Sequence, residues 1–456
     1  MGLAKQDNLI ETEVGESVID KRRDKKKKKS DINIGAKLFI VFIFVITVSG
    51  MLYVNYMSKG KFDLFLGVYG SMMVTYLLGK MALSFFYKPY ASIKGKNLKV
   101  SVVIPSYNES SQSLSSTIES LLEQDYPIYE IIVVDDGSKD LSGYHSLNEM
   151  KDGINQVAST SESSSSNTPY LRVHKLEKNV GKRHAQAWAF ERVEGDIIVT
   201  IDSDAHVASD AIKELISPFK DSKVKATTGH LHARNKGDNL FTKLIDMRYD
   251  NAFRVERSAQ SVTGNVLVCS GCFSAYRTEV ILSNLEHYKN QTFLGEKVQF
   301  GDDRCLTNYA ILEGKTLYQS TAHCYTDVPS GIKQFLKQQI RWNKSFFRES
   351  LIAMKIGLKK PTVLVWAVLE MLLWILFGVA IVFGVILKSS TFGLIMATYY
   401  FAYICLSAYA RNAYYILRNP LIFLMAPVYG IIHITLLIPL RLYALVTIRQ
   451  NGWGTR

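Results

Sequence analysis

The sequence predicts an α/β domain in the middle of the chain, with membrane-spanning helices on both sides of it. Hydrophobic residues make up 48% of the 456 residues, and the long apolar runs lie towards the two ends. In the middle, short β-branched runs alternate with amphipathic stretches. This alternation predicts a parallel sheet covered on both faces, with ligands at the carboxyl ends of its strands. The predicted strands are Leu98–Pro105, Glu130–Asp135, Tyr170–Lys175 and Asp196–Ile201, with helices near Ser113–Gln124 and Arg183–Arg192.

A basic tail, residues 1–33, precedes the first apolar run. Much of the net charge of +13 lies in its block Lys21–Lys29. A basic cluster beside a membrane segment holds that end in the cytoplasm and attracts anionic lipid. A solvated, disordered tail is compatible with the same role. We therefore expect no nucleic-acid partner, and the polar N-terminus does not resemble a signal peptide.

Four apolar runs are long enough to cross a bilayer core, which requires about 20 helical residues. They are Leu38–Met57, Leu64–Phe86, Val363–Leu387 and Phe392–Tyr409. We expect them to form two transmembrane hairpins, in residues 34–90 and 361–418. The α/β domain, residues 91–328, then lies between the hairpins.

The last segment, residues 419–456, contains a further apolar stretch interrupted by Pro427 and Pro439. Because Arg449 and Arg456 favour a cytoplasmic end, a single crossing does not fit this topology. We expect an interfacial or re-entrant helix. The prediction is a multi-pass plasma-membrane protein whose α/β domain and both termini are cytoplasmic.

Two carboxylates follow the last predicted strand, in Asp202-Ser203-Asp204. Side chains alternate along an extended chain, so Asp202 and Asp204 lie on the same side and can share a hard divalent cation. Mg²⁺ or Mn²⁺ at this position can bridge to a diphosphate. Acidic pairs are also common in ordinary loops, but the position after a buried strand favours a metal site.

Polar residues also follow two other predicted strands. Tyr107 and Glu109 come after the first strand, and Asp135 and Asp136 end the second. A carboxylate at such an end can accept the N–H of a uracil or bind ribose hydroxyls, and Tyr107 can stack on a base. The alternative for the aspartates is a turn that caps a helix.

A predicted helix opens with Lys182 and Arg183. Cations at a helix N-terminus add to its dipole and can contact a phosphate. A second acidic pair, Asp302 and Asp303, lies about a hundred residues after the first and can supply a general base that is separate from the metal ligands. The alternative is a helix start capped by aspartate.

Gln338, Arg341 and Trp342 have the spacing i, i+3 and i+4, so they share one face of a helix. Arg341 can form a fork to phosphate oxygens, and Trp342 offers a flat apolar surface to a sugar ring. The surrounding region, residues 329–360, is amphipathic and basic, which favours interfacial helices at the cytoplasmic surface. A membrane anchor without a role in catalysis is the alternative.

These motifs together resemble the processive inverting glycosyltransferases of family 2, which include cellulose, chitin and hyaluronan synthases. Longer segments are similar to the class I, streptococcal-type hyaluronan synthases. They are Gly181–Arg192, Val255–Ser261, Gly301–Tyr309 and Trp453–Arg456. The resemblance implies a GT-A-type domain joined to about four transmembrane helices and amphipathic interfacial helices.

The resemblance also implies roles for single residues. Asp303, with Asp302 beside it, would supply catalysis, and Asp204 with Asp202 would hold the metal. Ser270, Gly271, Cys272 and Trp342 would contact the acceptor, although the family often has Gly-Pro where this chain has Gly271-Cys272. The UDP-binding residues would be Tyr107, Glu109, Asp135, Asp136, Lys182, Arg183, Asp202, Asp204, Gln338, Arg341, Trp453, Thr455 and Arg456.

The activity that the resemblance implies is alternating transfer of GlcNAc and GlcA from UDP-GlcNAc and UDP-GlcA to nascent hyaluronan, which is moved across the membrane. The alternatives are a chitin or chito-oligosaccharide synthase that uses UDP-GlcNAc alone and an inactive transferase-like export subunit. No obligatory protein partner is implied. We expect the five cysteines to be reduced, because their spacing forms no disulfide framework.

Overall fold

The structure is a computed structural model that describes residues 34–59, 64–95, 98–160, 168–381 and 391–450. The basic tail, most of a Ser-rich loop and the segment with Trp453, Thr455 and Arg456 lie outside the described residues. The chain forms two compact units, Met1–Ile46 and Thr47–Arg456. Within the first unit, the described residues are the start of a helix; the second unit contains the α/β domain and the remaining helices.

Helices occur along the whole described chain. In chain order they are α1 Ile34–Lys59, α2 Leu64–Phe86, α3 Ser111–Leu122, α4 Ser142–Thr160, α5 Lys182–Phe190, α6 Ala211–Ile216, α7 Leu240–Asn251, α8 Ser258–Val262, α9 Thr278–Ser283, α10 Leu285–Lys289, α11 Asp302–Glu313, α12 Ile332–Gly357, α13 Pro361–Ile381, α14 Thr391–Arg411, α15 Pro420–Leu424, α16 Ala426–Ile432 and α17 Ile438–Val446. Short 3₁₀ turns are Ser217–Lys220 and Ala413–Leu417, and π-helical turns are Ala252–Arg257 and His433–Leu437.

A curled eight-stranded sheet forms the centre of the α/β domain, with the strand order β3-β2-β1-β4-β7-β6-β10-β5. The strands are β1 Val100–Ser106, β2 Glu130–Asp135, β3 Tyr170–Lys175, β4 Ile197–Ile201, β5 His206–Val207, β6 Val224–Ala233, β7 Phe273–Arg277 and β10 Lys315–Thr326. A separate hairpin pairs β8 Thr292–Phe293 with β9 Glu296–Lys297.

The prediction of a parallel sheet is correct for β1 to β4 and for the pair β6 and β10, but the whole sheet is mixed. Strands β1 to β4 are parallel neighbours, as their β-branched runs predict. Strand β7, however, runs antiparallel to both β4 and β6. As a result Phe273, where β7 begins, pairs with Ile201, where β4 ends. The start of β7 and the ends of β1, β2 and β4 therefore meet at one edge.

The core around the sheet is apolar on both faces. Strands β1, β2 and β4 are buried along their whole length, and α3 and α5 pack their apolar residues against them. Fully burying each Val, Ile or Leu side chain contributes about 1.5–3 kcal/mol. Because the strands themselves are buried in this packing, polar side chains can gather only at the strand ends.

Three described segments are long and apolar enough to cross a membrane: Gly35–Met57, Pro361–Val379 and Ala426–Val446. Two further segments predicted as spans are helical, in α2 Leu64–Phe86 and α14 Thr391–Arg411. The number of crossings and their orientation stay predictions.

The expectation that prolines break the last apolar stretch holds near Pro427, where Met425 separates α15 from α16, and is wrong at Pro439. Residues 426–446 form one unbroken helical run through Pro439. Pro427 lies in the first turn of α16, where its missing N–H leaves no hydrogen bond unmade. A π-helical turn, His433–Leu437, ends two residues before Pro439 and widens the helix where the proline ring meets the preceding turn. The run has the length and composition of a membrane-spanning helix.

Candidate active site

The loops at the strand-end edge of the sheet are tied to each other by hydrogen bonds. The backbone N–H of Asn108, after β1, donates to Oγ of Ser138 over 2.7 Å. In return, the N–H of Lys139 donates to Oδ1 of Asn108 over 2.9 Å. Asn108 has a positive φ of 52°, which asparagine tolerates better than most residues. These contacts fix the loop that carries Tyr107 and Glu109 beside the loop that follows β2.

The aspartates that end β2 differ in their surroundings. Asp135 is buried and accepts hydrogen bonds from the N–H and the hydroxyl of Ser138, so it caps the turn. Asp136 accepts from the N–H groups of Val180 and Gly181, both over 2.9 Å. Burial raises the pKa of Asp136, although these two N–H groups oppose the shift. Asp136 lines a cavity at the strand-end edge of the sheet, and Asp135 is not among the residues that line this cavity.

Lys182, the first residue of α5, forms an ion pair with Oδ1 of Asp202. Burial lowers the pKa of Lys182, but the charges of Asp202, Asp302 and Asp303 outweigh burial and raise it overall. The ammonium group is therefore charged and lies beside the first aspartate of the D-x-D sequence. A Cβ atom added to Gly271 would lie 3.4 Å from the Cβ of Asp303 and 3.9 Å from the Lys182 Nζ.

Asp303 lies at the start of α11, where Gly301 turns the chain. Gly301 has a φ of 91°, and an added Cβ would lie 2.3 Å from the Ser345 hydroxyl, so only glycine fits. Burial raises the pKa of Asp303, while the Arg304 guanidinium and the Arg304 N–H oppose the rise. A carboxylate with a raised pKa is a stronger base than an ordinary aspartate, as proton abstraction requires.

The raised pKa of Asp303 predicts a pH dependence. If Asp303 must be ionised to react, kcat/KM falls about tenfold per pH unit below the pKa of Asp303 in the folded protein. This acidic limb of the pH–rate profile begins above about pH 3.9, the pKa of an unperturbed aspartate. Activity is therefore lost as the pH falls and is full above the limb. A series of rates at fixed ionic strength and saturating metal measures this. A flat profile down to pH 4 in protein that stays folded would contradict it.

The prediction that Arg183 contacts a phosphate is wrong for this structure. Arg183 is fully buried, and its Nε donates to Oδ1 of Asp302 over 3.1 Å. Its Nη1 donates to the carbonyl of Tyr288 and to Oε1 of Gln291, over 3.0 Å and 2.6 Å. Consecutive residues on a helix point in different directions, so only Lys182 of the pair faces the cavity.

The Arg183 network extends to α12 and supports α11. Gln291 donates to Glu349 over 3.0 Å, and Glu349 also accepts from Arg348 over 2.9 Å and from Asn308 over 3.1 Å. Asp302 is the member of this network next to Asp303. We therefore interpret Asp302 as a positioning residue that fixes the start of α11.

Replacing Arg183 by methionine is expected to destabilise the protein by about 3–5 kcal/mol, because Asp302 would become a buried charge without its partner. The unfolding temperature in detergent measures the effect. Arg192→Met is the matched control, since the Arg192 side chain is about half exposed and contacts Glu191 and the Trp188 carbonyl at the surface. Equal unfolding temperatures for the two variants would contradict the proposed support.

The residues of the Q-x-x-R-W sequence lie on α12, as the spacing predicts. Gln338, Arg341 and Trp342 line the cavity, and Trp342 remains 46% exposed. In the second half of α12, residues 343–350 are buried in the protein, and the interfacial position of the helix stays a prediction. Lys344 in this half donates to the Gln450 carbonyl over 2.9 Å, which links α12 to the end of the described chain.

One cavity of about 930 Å³ unites most of the predicted site residues. Those that line it are Tyr107, Glu109, Asp136, Lys182, Asp202, Asp204, Ser270, Gly271, Cys272, Asp302, Asp303, Gln338, Arg341 and Trp342. Asp135 and Arg183 do not line it, and Trp453, Thr455 and Arg456 lie outside the described residues. The edge of the sheet, the start of α11 and the face of α12 thus share one space.

A second group of cavity residues, which is rich in arginine, was not predicted as a group from the sequence. Its members are Arg248, Glu256, Arg257, Arg304, Glu370 and Arg441. Nη1 of Arg248 lies 3.4 Å from Oε1 of Glu256. Nε of Arg441 donates to Oδ1 of Asn343 over 2.7 Å. Two segments carried a signal for three of them through their similarity to known synthases: Val255–Ser261 for Glu256 and Arg257, and Gly301–Tyr309 for Arg304. We call this set the arginine group.

The arginine group continues into an ion pair between two helices. Glu370 of α13 accepts from Nε2 of Gln260 over 3.1 Å and lies 3.7 Å from Nζ of Lys80 on α2. Lys80 is 4% exposed and lies 4.2 Å from the ring centre of Tyr76. A lysine in an apolar span can snorkel to the membrane surface or line a polar path, and the burial of Lys80 beside Glu370 favours the polar path.

The D-x-D carboxylates fit a divalent cation that takes part of its coordination from a ligand. Asp202 and Asp204 both line the cavity. Within the described residues, no group of three or more His, Cys, Asp or Glu side chains is arranged to hold a metal ion. Mg²⁺ and Mn²⁺ typically bind one or two protein carboxylates together with phosphate oxygens and water. The donor set therefore fits a cation that arrives with a diphosphate.

Comparison with known proteins gives the class of this chain. Residues 101–283 match the model of "Glycosyl transferase family 2", and residues 197–440 match that of "Glycosyl transferase family group 2". The fold is similar to that of a mannosyltransferase from Pyrobaculum calidifontis, solved with GDP-Man and Mn²⁺, with a TM-score of 0.58 and 18% identity over 87% of this chain and 98% of that one. The chain is a glycosyltransferase of family 2.

Curated relatives narrow the class. A hyaluronan synthase of Streptococcus pyogenes is 48% identical over 422 residues, which are 92% of this chain and 97% of the relative. An N-acetylglucosaminyltransferase of Rhizobium meliloti is more distant, 34% identical over 78% of this chain and 81% of the relative. Within family 2, the chain belongs to the class I hyaluronan synthases and is a membrane-associated protein.

Proposed function

We propose that the chain synthesises hyaluronan by alternating transfer of GlcNAc and GlcA from their UDP donors, with inversion at each transferred sugar. The observation that carries the proposal is the cavity that these site residues share. This cavity brings together the D-x-D carboxylates, the candidate general base Asp303, the exposed Trp342 and the arginine group. The 48% identity to a curated hyaluronan synthase over nearly the full length supports the same activity.

In this proposal, the donor binds across the strand-end edge of the sheet. Tyr107, Glu109, Asp135 and Asp136 bind the uridine, with Asp135 acting through the shape of its turn. Lys182, Gln338 and Arg341 hold the diphosphate, and Trp453, Thr455 and Arg456 close over the nucleotide. Asp204 and Asp202 hold Mg²⁺ or Mn²⁺, which neutralises charge on the leaving diphosphate when it is bound. The contact between Lys182 and Asp202 supports this assignment, because it keeps a cation at the same edge.

Asp303 acts as the general base and takes the proton from the acceptor hydroxyl as the oxygen attacks the anomeric carbon of the donor. The raised pKa of Asp303 and its place in the cavity support this role. Asp302 positions Asp303 through its bond with Arg183. Trp342 supports the acceptor sugar, with the turn Ser270-Gly271-Cys272 beside it. Gly271 packs against Asp303, so this turn brings the acceptor close to the base.

The arginine group favours a polyanionic product over a neutral one. Arg248, Arg257, Arg304 and Arg441 carry four positive charges, and Glu256 and Glu370 carry two negative charges. The charges of Glu370 and Arg304 both act on Arg441, so the members lie within electrostatic range of each other. A chain with one carboxylate per disaccharide gains from such a surface, whereas neutral chitin gains little. We infer that the polymer passes the arginine group towards the membrane helices.

The membrane arrangement belongs to the proposal as well. We place the α/β domain, residues 91–328, and both termini in the cytoplasm, with hairpins in residues 34–90 and 361–418. The number of crossings depends on residues 419–456, whose helix is long and apolar enough to be a further span. The basic tail and the exposed basic residues at the start of α12 can bind anionic lipid. UDP-sugars, nascent hyaluronan and lipid are then the partners.

A donor-feeding assay tests the proposal. Purified protein receives UDP-GlcNAc alone, UDP-GlcA alone, or both, with Mg²⁺ or Mn²⁺. High-molecular-weight polymer is expected only with both donors, and a hyaluronan-specific lyase should degrade it. Polymer from UDP-GlcNAc alone would instead establish a chitin-type synthase, and no sugar transfer by folded protein would support the inactive export subunit.

A further inference from the structure

Two cysteines on different strands bring their sulfurs into contact beside the metal aspartates. The Sγ atoms of Cys272 and Cys324 are 3.9 Å apart. Cys272 directly precedes β7, and Cys324 lies in β10. All five cysteines of the chain are free thiols in this structure. A disulfide requires an S–S distance of about 2.0 Å, so a shift of about 2 Å would bond these two.

The two cysteines hold opposite ends of the turn that contains the D-x-D sequence. At the start of the turn, the Asp202 N–H donates to the Cys272 carbonyl over 3.3 Å. After the turn, Val207 of β5 pairs with Cys324, and the Ala208 N–H donates to the neighbouring His323 carbonyl over 3.1 Å. No covalent bond now joins the two ends. A bond between the cysteines would fix the ends to each other and restrict Asp202 and Asp204.

The two thiols differ in their access to small molecules. Cys272 lines the cavity and is 7% exposed, whereas Cys324 is completely buried behind it. A small oxidant that enters the cavity therefore meets Cys272 first. Cys324 is in van der Waals contact and can react with the oxidised sulfur without reaching solvent. Because a sulfenic acid condenses with a neighbouring thiol to a disulfide, Cys324 is placed to resolve an oxidised Cys272.

We propose that Cys272 and Cys324 form an oxidation site whose disulfide arrests sugar transfer. A peroxide oxidises the Cys272 thiol to a sulfenic acid, and one oxygen of the peroxide leaves as water. The Cys324 sulfur then attacks the Cys272 sulfur, a second water leaves, and the disulfide forms. Two thiols lose two electrons and two protons, and hydrogen peroxide becomes two waters. A small dithiol reverses the reaction by exchange.

The arrest follows from the position of the disulfide. It would tie the turn Ser270-Gly271-Cys272, proposed to face the acceptor, to the turn that carries the metal aspartates. Both sides of the reaction centre would then lose the freedom to adjust as donor and acceptor bind. Formation of the disulfide does not depend on which sugars the enzyme transfers, so the inference holds for any polymer that the cavity makes.

The test uses the full-length protein in detergent, exposed briefly to hydrogen peroxide and then quenched with a thiol-blocking reagent. Peptide mass spectrometry without reduction measures the fraction of chains with Cys272 bonded to Cys324, and polymer synthesis is measured on the same samples. We expect activity to fall at least tenfold, in proportion to the bonded fraction, and dithiothreitol to restore it. Bound UDP with Mn²⁺ should slow the reaction, because it fills the cavity in front of Cys272.

Two variants make the result specific. Cys324→Ser should keep its activity before oxidation and form no bond; peroxide with dimedone should instead label Cys272 as a sulfenic acid. Cys405→Ser, in α14, should behave like the unchanged protein. The proposal is overturned if oxidised protein contains no Cys272–Cys324 bond, if bonded protein keeps full activity, or if Cys324→Ser yields no sulfenic acid at Cys272. A Cys324→Ala variant replaces Cys324→Ser if the serine hydroxyl prevents folding.

Discussion

Replacing Asp303 by asparagine is expected to lower the rate of polymer synthesis about 1,000-fold, within the range that general-base catalysis contributes. Asparagine has nearly the same shape as aspartate, so the start of α11 should keep its conformation. The asparagine amide, however, cannot take the proton. The binding of UDP with Mn²⁺ should change little, because Asp303 is proposed to face the acceptor and not the nucleotide. Rates at saturating donors and UDP titration by calorimetry measure the two quantities.

Two controls separate the loss of a base from the loss of a charge or of the fold. Glu313→Gln removes a carboxylate from the other end of the same helix, where it contacts Ser283 and Asn284 at the surface, and should leave the rate unchanged. Asp302→Asn should lower the unfolding temperature, since Asp302 pairs with the buried Arg183. The role of Asp303 is wrong if folded Asp303→Asn protein binds UDP and still polymerises at the normal rate.

Replacing Asp204 by asparagine is expected to abolish the metal-dependent part of donor binding. Removing a principal ligand of the cation should weaken UDP binding in Mn²⁺ at least about 100-fold, because a bound cation stabilises diphosphate charge by several kcal/mol. Polymer synthesis should fall by more than binding, since charge grows on the leaving group during transfer. Titration of UDP with Mn²⁺, and again with a chelator, measures the difference.

Asp327→Asn is the matched control for Asp204→Asn. Asp327 also lines the cavity, but its carboxylate binds Arg234 through contacts of 2.9 Å and 2.6 Å. Its loss should change the metal-dependent binding little. If Asp204→Asn and Asp327→Asn respond alike to Mn²⁺, or if Asp204→Asn keeps its metal response, the D-x-D assignment is wrong.

The strand-end half of the site could be predicted from the sequence because it is built from local patterns. Apolar β-branched runs define β1, β2 and β4, and parallel strands must end at one edge. Tyr107, Asp136 and Asp202 therefore come together without any knowledge of distant contacts. The i, i+3, i+4 spacing on α12 placed Gln338, Arg341 and Trp342 on one face for the same reason.

The remaining features depend on packing between distant segments. The sequence around Arg183 does not reveal that Asp302 and Gln291 lie across from it, so an arginine after Lys182 resembled a second phosphate ligand. The reversed direction of β7 and the contact of Cys272 with Cys324 depend on how the last strands of the sheet are ordered. The arginine group draws on α7, the π-helical turn Ala252–Arg257, α11, α13 and α17, and no local pattern predicts that these elements meet.

Dual-label incorporation tests directly whether one cavity makes a polymer of two alternating sugars. Purified protein receives UDP-GlcNAc and UDP-GlcA with different isotopes, and the sugar ratio of the isolated polymer is measured with the unchanged protein and with Asp303→Asn. We expect a ratio of one to one and an equal loss of both labels in the variant. A polymer that contains only GlcNAc, or a variant that loses one label and keeps the other, would contradict it.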